Sequence, residues 1–303
     1  MINNMTKLAE RYQGCLLGLA CGDAVGTTVE FQPRGSFPEV TDMVGGGPFH
    51  LKAGQWTDDT SMALCLAASL IERGGFDALD QMQRYSAWRS DGYMSSTGRC
   101  FDIGNTVSHA LSQFVGSGNP FSGSTHEHSA GNGSLMRLAP VPMFYYPNCK
   151  DAVFYSGESS RTTHGAEECI EACQLFGCMI HKALEGKSKQ QILFENDSDS
   201  YARTKIQKIA RGDYKDKSYA DIRGSGYVIY SMEAALWCFL NTENFEEAIL
   251  KAVNLGDDAD TTAAVCGQIA GAFYGIAGIP SDWLKKLAMA DTITSMALSL
   301  LQK

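Results

Sequence analysis

A regular spacing of glycines near the start of the chain restricts the fold more than any other feature. Residues 7–26 carry apolar side chains at helical spacing, and glycine recurs at every fourth position on one face of that helix: Gly14, Gly18, Gly22 and Gly26. Glycine costs a helix about 1 kcal/mol relative to alanine. Four of them on one face therefore predict that another helix packs very closely against this one.

Helical patterns recur along the rest of the chain and are joined by glycine-rich loops, whereas strand patterns are almost absent. The predicted helices cover residues 59–72, 77–90, 107–114, 166–184, 229–239, 245–254, 281–289 and 291–301. In the second of these, Leu79, Met82, Tyr85 and Trp88 are expected to face inward. No repeat of fixed period occurs. The sequence therefore predicts an all-α fold, compact and single-domain, over residues 1–303.

The composition excludes several classes of function. The 303 residues, 44% of them hydrophobic, are enough to bury a full core. The net charge of −9 argues against a basic groove for nucleic acid. No apolar run approaches the ~20 residues that span a bilayer, and the N-terminus lacks the pattern of a signal peptide. Nucleic-acid and membrane partners are therefore not expected, and no pattern indicates an oligomeric state.

The ten cysteines are scattered, and none forms a Cys-x-x-Cys pair, so zinc is not indicated. Most lie within apolar helical patterns, where a reduced cysteine behaves as a small hydrophobic residue. This usage predicts a reducing, cytoplasmic compartment. Residues 186–224 form the most charged and least periodic region, in which we expect short helices at the surface.

Two segments concentrate carboxylates and hydroxyls where predicted helices begin. They read Trp56-Thr57-Asp58-Asp59-Thr60 and Gly256-Asp257-Asp258-Ala259-Asp260-Thr261-Thr262. Acidic side chains are costly to bury unless they are paired or bind a metal. No basic residue lies close in sequence to pair with the second segment.

Each segment has two interpretations. Asp and Thr are common helix caps, and Thr57 or Asp58 could cap the helix that follows. However, a cap needs a single oxygen, so capping would leave at least four acids unused. Carboxylate and hydroxyl oxygens suit Mg²⁺, Mn²⁺ or Ca²⁺. If the two helix starts face each other, they could hold two metals, with Asp260 placed to bridge them. The sequence favours metal binding over capping.

Other polar positions stay ambiguous when taken singly. Asp23 and Glu30 could each be a solvated acid. Asp102 and Asn105 could cap the helix over residues 107–114, or they could face a ligand.

A glycine-rich turn, Gly131-Asn132-Gly133-Ser134, could cradle phosphate through its backbone N–H groups. Asn132 is more often a turn residue than a ligand contact. His164 is more often a satisfied or surface histidine than a catalytic one, and Tyr227 is more often part of a core.

In their order along the chain these motifs resemble the ADP-ribosylglycohydrolase family. The motifs that carry the resemblance are the glycine helix with Asp23 and Glu30, Trp56–Thr60, Gly131–Ser134 with Arg137, Thr163-His164 and Gly256–Thr261. They extend over nearly the whole chain. The resemblance implies an all-α fold with two Mg²⁺ or Mn²⁺ ions in a central cleft. It implies one ligand set of Thr57, Asp58, Asp59 and Asp260, and a second of Asp258, Asp260 and Thr261.

The resemblance also implies the activity. The family cleaves the bond between ADP-ribose and its acceptor, and a water attacks the anomeric carbon. Asp59 or Glu30 could take the proton of that water. Gly131, Asn132, Gly133 and Ser134 would hold the diphosphate, His164 would approach the ribose or phosphate, and Tyr227 would stack on a ring.

The expected substrate is an ADP-ribosylated protein. The segment from Arg99 to Asn105 resembles the arginine-type branch, in which Asp102 would face the guanidinium or assist ring opening. Two alternatives remain open. The same fold could act on O-linked ADP-ribose, as on serine or an acetyl ester, or the chain could be a non-catalytic metal-binding relative.

Overall fold

The helices follow one another along nearly the whole chain. The computed structural model describes residues 2–303, with side chains described from Met5 onward. Within that range the α-helices are α1 Ile2–Gly26, α2 Asp58–Arg73, α3 Ala78–Asp91, α4 Asn105–Ser117, α5 Pro140–Tyr145, α6 Cys149–Arg161, α7 Glu167–Leu184, α8 Lys189–Phe194, α9 Thr204–Arg211, α10 Val228–Leu240, α11 Phe245–Val253, α12 Ala259–Tyr274, α13 Ser281–Lys286 and α14 Ala290–Leu301. Residues 2–303 contain isolated β-bridges but no strand. The predicted all-α fold is confirmed.

Helices α1 and α12 pack backbone to backbone at the centre of the molecule. A methyl group added at Gly14, Gly18 or Gly22 would overlap backbone atoms of α12. The fit is reciprocal, because a methyl group at Gly267 or Gly271 of α12 would overlap the backbone of α1. The close packing predicted from the glycine spacing is confirmed, and α12 is the partner helix.

The last glycine of this face positions the site. A methyl group at Gly26 would overlap the Cα atom of Asp260. The end of α1 and the start of α12 therefore lie side by side, which brings the second acidic segment next to Glu30. Phe31 then donates its N–H to the carbonyl of Asp257 at 2.7 Å, which ties the chain after α1 to the loop before α12.

The helices contradict one sequence-based expectation and decide one alternative that the sequence left open. In α3 the buried stripe runs through Gln81, Met82, Tyr85 and Trp88, and this direction leaves Leu79 46% exposed, so its predicted inward position is wrong. Helix α4 begins after Gly104 without a side-chain cap. Neither Asp102 nor Asn105 therefore caps this helix.

The charged region 186–224 forms the short helices α8 and α9, as predicted, although Ile192 and Ile206 are fully buried. No helix in the described part of the chain is long and apolar enough to cross a membrane.

Candidate metal-binding active site

A cavity of about 650 Å³ lies where several distant stretches of the chain meet. The segment after α1, the start of α2, the loop before α4, the glycine-rich turn, the segment at His164, the loop before α10 and the start of α12 all contribute to its wall. The predicted site residues that line it are Glu30, Asp58, Asp102, Gly131, Asn132, Gly133, His164, Asp258, Asp260 and Thr261. Most of the predicted residues therefore converge on one cavity.

The two helix starts face each other directly. The hydroxyl of Thr57 lies 3.2 Å from Oδ2 of Asp260, and the hydroxyl of Thr261 lies 3.4 Å from Oδ2 of Asp59. Asp59 and Asp260 are 0% and 1% exposed. The arrangement that a shared metal site requires is thus present.

Helix α2 is capped by a side chain from another helix. Thr57 occupies its N-cap position but makes no capping bond. Instead Asp23 of α1 accepts hydrogen bonds from the backbone N–H groups of Thr57 and Thr60 at 2.8 and 3.0 Å. It also accepts bonds from both hydroxyls, at 2.9 and 2.6 Å.

The capping alternative for Thr57 and Asp58 is therefore not observed, and Asp23, at 0% exposed, is not a solvated acid. At the start of α12, Asp258 holds the N-cap position and likewise makes no capping bond. Because Asp23 supplies the cap of α2 from outside, the oxygens of the acidic segment remain free for another partner.

The carboxylates offer unsatisfied oxygens to a cation. Buried side-chain oxygens without a hydrogen-bond partner include Oδ1 of Asp59, Oδ1 of Asp260 and Oε2 of Glu30. Ligand atoms of Glu30, Asp102 and Asp260 all lie within 4.8 Å of one another. None of the ion pairs in the described residues involves these carboxylates. Buried charges without a counter-charge are strongly destabilising, so the residues fit a divalent cation with oxygen ligands.

Burial shifts the acid–base behaviour of the cluster. It is the main cause that raises the pKa of Asp58, Asp59 and Asp260 well above the usual range, and repulsion between neighbouring carboxylates adds to it. Burial also raises the pKa of Glu30 to about 10 and that of Asp102 to about 7. The cluster on its own therefore retains protons that a bound cation would displace.

Backbone strain is concentrated at this cavity. Phe31, Asp102 and Asp257 have φ angles of 63°, 58° and 56°, in the left-handed region that residues with a side chain rarely adopt. All three line the cavity. Such strain clusters at functional sites because surrounding contacts hold it in place. Asp102 is also close enough to Glu30 and Asp260 to share a metal, a role that sequence reasoning did not assign to it.

The glycine-rich turn forms the part of the cavity wall that adjoins the carboxylates. Asn132 donates from Nδ2 to Asp258 at 2.7 Å and to Ser231 at 3.2 Å, so it links the turn to the acidic cluster. Ser134 lies behind the turn, where it is 1% exposed and accepts a hydrogen bond from Ser160 at 2.8 Å. Only Gly131, Asn132 and Gly133 of the turn line the cavity.

His164 lies beneath this turn. A methyl group at Gly133 would come within 2.7 Å of its Cε1 atom. Nδ1 lies 2.9 Å from the hydroxyl of Thr163. Burial, assisted by the charge of Arg137, lowers the pKa of His164 to about 3. The ring is therefore neutral around pH 7.

Tyr227 lines a neighbouring cavity of about 640 Å³, which shares Gly131 and Gly226 with the first. Its hydroxyl donates to Glu168 and accepts from Lys205. The ring is half-buried at this cavity and packs against the edge of the core.

The fold and the site define a class: an all-α protein whose central helices bring a cluster of buried carboxylates to one wall of a cavity. The family model described as ADP-ribosylglycohydrolase matches residues 4–303. The chain belongs to this family, and the predicted class of enzyme is confirmed.

Individual relatives agree with this assignment. The chain is 46% identical over 294 residues to "ADP-ribosylarginine hydrolase Tri1" of Pseudomonas putida (strain GB-1), covering 97% of this chain and 78% of that protein. It is 32% identical to "ADP-ribosyl-[dinitrogen reductase] glycohydrolase" of Rhodospirillum rubrum, covering 92% of this chain and 91% of that protein. A solved structure titled "ADP-ribosylglycohydrolase-related protein complex" has a TM-score of 0.86 and 40% identity, covering 98% of this chain and 99% of that one.

Proposed function

We propose that the protein removes ADP-ribose from arginine side chains. The observation that carries this proposal is the wall of buried carboxylates, with unsatisfied oxygens, which lines a cavity together with a glycine-rich turn. The 46% identity to an ADP-ribosylarginine hydrolase supports the arginine linkage. Asp102 supports it as well, because a carboxylate in the cavity wall is complementary to a cationic acceptor.

The cofactor in this proposal is a pair of Mg²⁺ or Mn²⁺ ions. Thr57, Asp58, Asp59 and Asp260 would hold one ion, and Asp258, Asp260 and Thr261 the other, with Asp260 common to both. Bound ions of this kind supply Lewis acidity toward hydroxyl and water oxygens. Asn132 would fix the orientation of Asp258 through its 2.7 Å hydrogen bond.

The proton of the attacking water has two candidate acceptors, Glu30 and Asp59. Both carboxylates are buried and have an unpaired oxygen, but only Glu30 lines the cavity. We therefore assign the role of general base to Glu30. Nearby cationic charge would favour its ionised form, which can accept the proton as the glycosidic bond breaks through an oxocarbenium-like state.

The other wall would orient the substrate. The turn Gly131–Gly133 and His164 would receive the diphosphate. The N–H groups of Gly131 and Asn132 already donate to the carbonyls of Ser129 and Gly226, so the donors would be the N–H of Gly133 and the ring of His164. Tyr227 in the neighbouring cavity would contact a ring of the adenosine end. Each cavity has a volume within the range of about 300–1,000 Å³ that small-molecule sites have.

A release assay on two substrates tests the proposal: one peptide with ADP-ribose on arginine and one with ADP-ribose on serine, each with and without a chelator. We expect release from arginine only, loss of release with the chelator and recovery with added Mg²⁺ or Mn²⁺. Release from serine but not from arginine would contradict the linkage. Release that a chelator leaves unchanged would contradict the proposed requirement for a divalent cation.

Asp102→Asn extends this assay. We expect slower release from the arginine peptide with little change in the affinity for free ADP-ribose, because this carboxylate would act on the acceptor. Asp282→Asn is the matched control, because Asp282 is exposed and pairs only with a lysine of its own helix. A proportional loss of ADP-ribose binding in Asp102→Asn would contradict this role.

A further inference from the structure

Arg137 is a buried cation without a carboxylate partner. It is 0% exposed, and none of the ion pairs among the described residues includes it. Its guanidinium lies over the ring of Tyr85, with 4.6 Å between Cζ and the ring centroid. Burying an unpaired charge is costly. The hydrogen-bond partners of Arg137 indicate why the fold keeps a charge at this position.

The hydrogen bonds of Arg137 lead toward the cavity. Nη2 donates to the carbonyl of Ser159 at 3.3 Å, to the hydroxyl of Thr162 at 3.1 Å and to the hydroxyl of Thr163 at 2.8 Å. The hydroxyl of Thr163 in turn lies 2.9 Å from Nδ1 of His164. Thr163 is fully buried, so these two groups are its side-chain partners within the described residues.

The direction of the second hydrogen bond follows from the first. A guanidinium has only donors, so the oxygen of Thr163 accepts from Arg137. The hydroxyl proton then has one acceptor within reach, Nδ1 of His164. If Nδ1 carried a proton and donated instead, the hydroxyl proton of Thr163 would be buried without an acceptor, which is unfavourable.

We infer that Arg137 and Thr163 hold His164 in the tautomer that carries its proton on Nε2, so that the ring donates a hydrogen bond to an anionic oxygen in the cavity. Nε2 lies beside the glycine-rich turn: it is 3.1 Å and 3.4 Å from where methyl groups at Gly133 and Gly131 would lie. The ring lines the cavity, and Nε2 has no protein partner in residues 5–303.

Because the ring of His164 is neutral, its tautomer determines which ring nitrogen can donate a hydrogen bond. A neutral imidazole has one N–H, and the nitrogen that carries it is the only donor. With the proton on Nδ1, the lone pair of Nε2 would face the cavity and repel a phosphate oxygen. Arg137 and Thr163 are thus positioning residues, which act on the ligand through His164. The identity of the ligand, the diphosphate of ADP-ribose, rests on the proposed function.

Two substitutions separate positioning from packing. Thr163→Val keeps the shape of the side chain and removes its hydroxyl, whereas Thr163→Ser keeps the hydroxyl. Thr162→Val is a matched control, because this equally buried hydroxyl also accepts from Arg137 but does not contact His164. The chain has six histidines, so the ring nitrogens can be assigned in ¹⁵N-labelled protein with His164→Gln as the reference.

The first readout is the ¹⁵N shift of both ring nitrogens of His164 in the Mg²⁺-loaded protein between pH 6 and 8. We expect the Nε2–H tautomer in the wild type, Thr163→Ser and Thr162→Val, and a mixture of tautomers in Thr163→Val. An Nδ1–H tautomer in the wild type would overturn the inference, and this test needs no ligand.

The second readout is calorimetric titration of the same proteins with ADP-ribose. We expect Thr163→Val to bind about tenfold more weakly, and the other two variants to bind within about twofold of the wild type. Unchanged affinity in Thr163→Val would overturn the inference. A wild type that fails to bind ADP-ribose would instead contradict the proposed function, while the tautomer measurement would still decide the role of Thr163.

Discussion

The two walls of the cavity differ in how the protein satisfies their polar groups. On the carboxylate wall, formed by Glu30, Asp102 and the starts of α2 and α12, three buried oxygens have no hydrogen-bond partner, and none of the described residues that line the cavity is a lysine or an arginine. On the amide wall, formed by Gly131–Gly133 and His164, side chains are held by Ser231, Thr163 and Arg137. One wall needs positive charge, and the other offers hydrogen-bond donors. A substrate with ribose hydroxyls and a diphosphate can use both.

The largest expected effect comes from removing the carboxylate common to both predicted ligand sets. We expect Asp260→Asn to lower kcat/KM by about 1,000-fold, because an amide binds divalent cations far more weakly than a carboxylate. Without a cation, however, the variant should have a higher Tm than the wild type, since the folded wild type must keep this buried carboxyl protonated, a cost that asparagine does not have. Release kinetics and calorimetry measure the two effects. Wild-type activity in Asp260→Asn, or a Tm below that of the wild type in the presence of chelator, would contradict this difference between the two walls.

The next effect tests how the carboxylate wall is positioned. Gly22→Ala should lower the free energy of unfolding by about 3 kcal/mol, because the added methyl group would overlap the carbonyl of Ala263. Gly104→Ala is the control, because a methyl group there meets nothing within 4 Å. Urea unfolding of both variants gives the comparison. Equal free energies of unfolding for Gly22→Ala and Gly104→Ala would mean that the packing of α1 on α12 does not depend on this close approach.

A smaller effect distinguishes the two kinds of helix cap. Asp23→Ala should cost about 2 kcal/mol of stability and also weaken Mg²⁺ binding, because Asp23 holds the hydroxyl of Thr57 as well as the end of α2. Asp77→Ala removes an ordinary cap of α3 and should cost about 1 kcal/mol. Mg²⁺ titration of the two variants separates them. If Asp77→Ala weakens Mg²⁺ binding as much as Asp23→Ala does, the special role of Asp23 is refuted.

The smallest effect is the pH dependence of the protein in chelator. The pKa values of Glu30, at about 10, and Asp102, at about 7, are raised by folding, so the folded state binds more protons than the unfolded state. Stability therefore falls as pH rises from about 5 to 8. Saturating Mg²⁺ should remove most of this slope, because the ion replaces the protons. Thermal melts at pH 5 and pH 8 test this expectation, and a Tm that rises with pH in chelator would contradict it.

The sequence was informative where the physical cause is local or periodic. The glycines of α1 predict close packing because their spacing places them on one face, but the spacing does not name α12 as the partner. The density of acids around Asp58 and Asp260 predicts a cation site because capping alone cannot account for it.

Features that depend on distant contacts could not be predicted. The capping of α2 by Asp23 joins residues 34 positions apart. The hydrogen bond from Arg137 to Thr163, and the one between Thr163 and His164, depend on how α6 ends beside the glycine-rich turn. Leu79 was misplaced for a similar reason, because the neighbours of α3 determine which stripe of that helix is buried.

We propose that the carboxylate wall holds two divalent cations that share Asp260. Anomalous diffraction from crystals grown with Mn²⁺ tests it most directly. We expect two anomalous peaks, one next to Thr57, Asp58, Asp59 and Asp260, and one next to Asp258, Asp260 and Thr261. No peak at this wall, or a single peak held by Glu30 and Asp102 away from the starts of α2 and α12, would contradict the account.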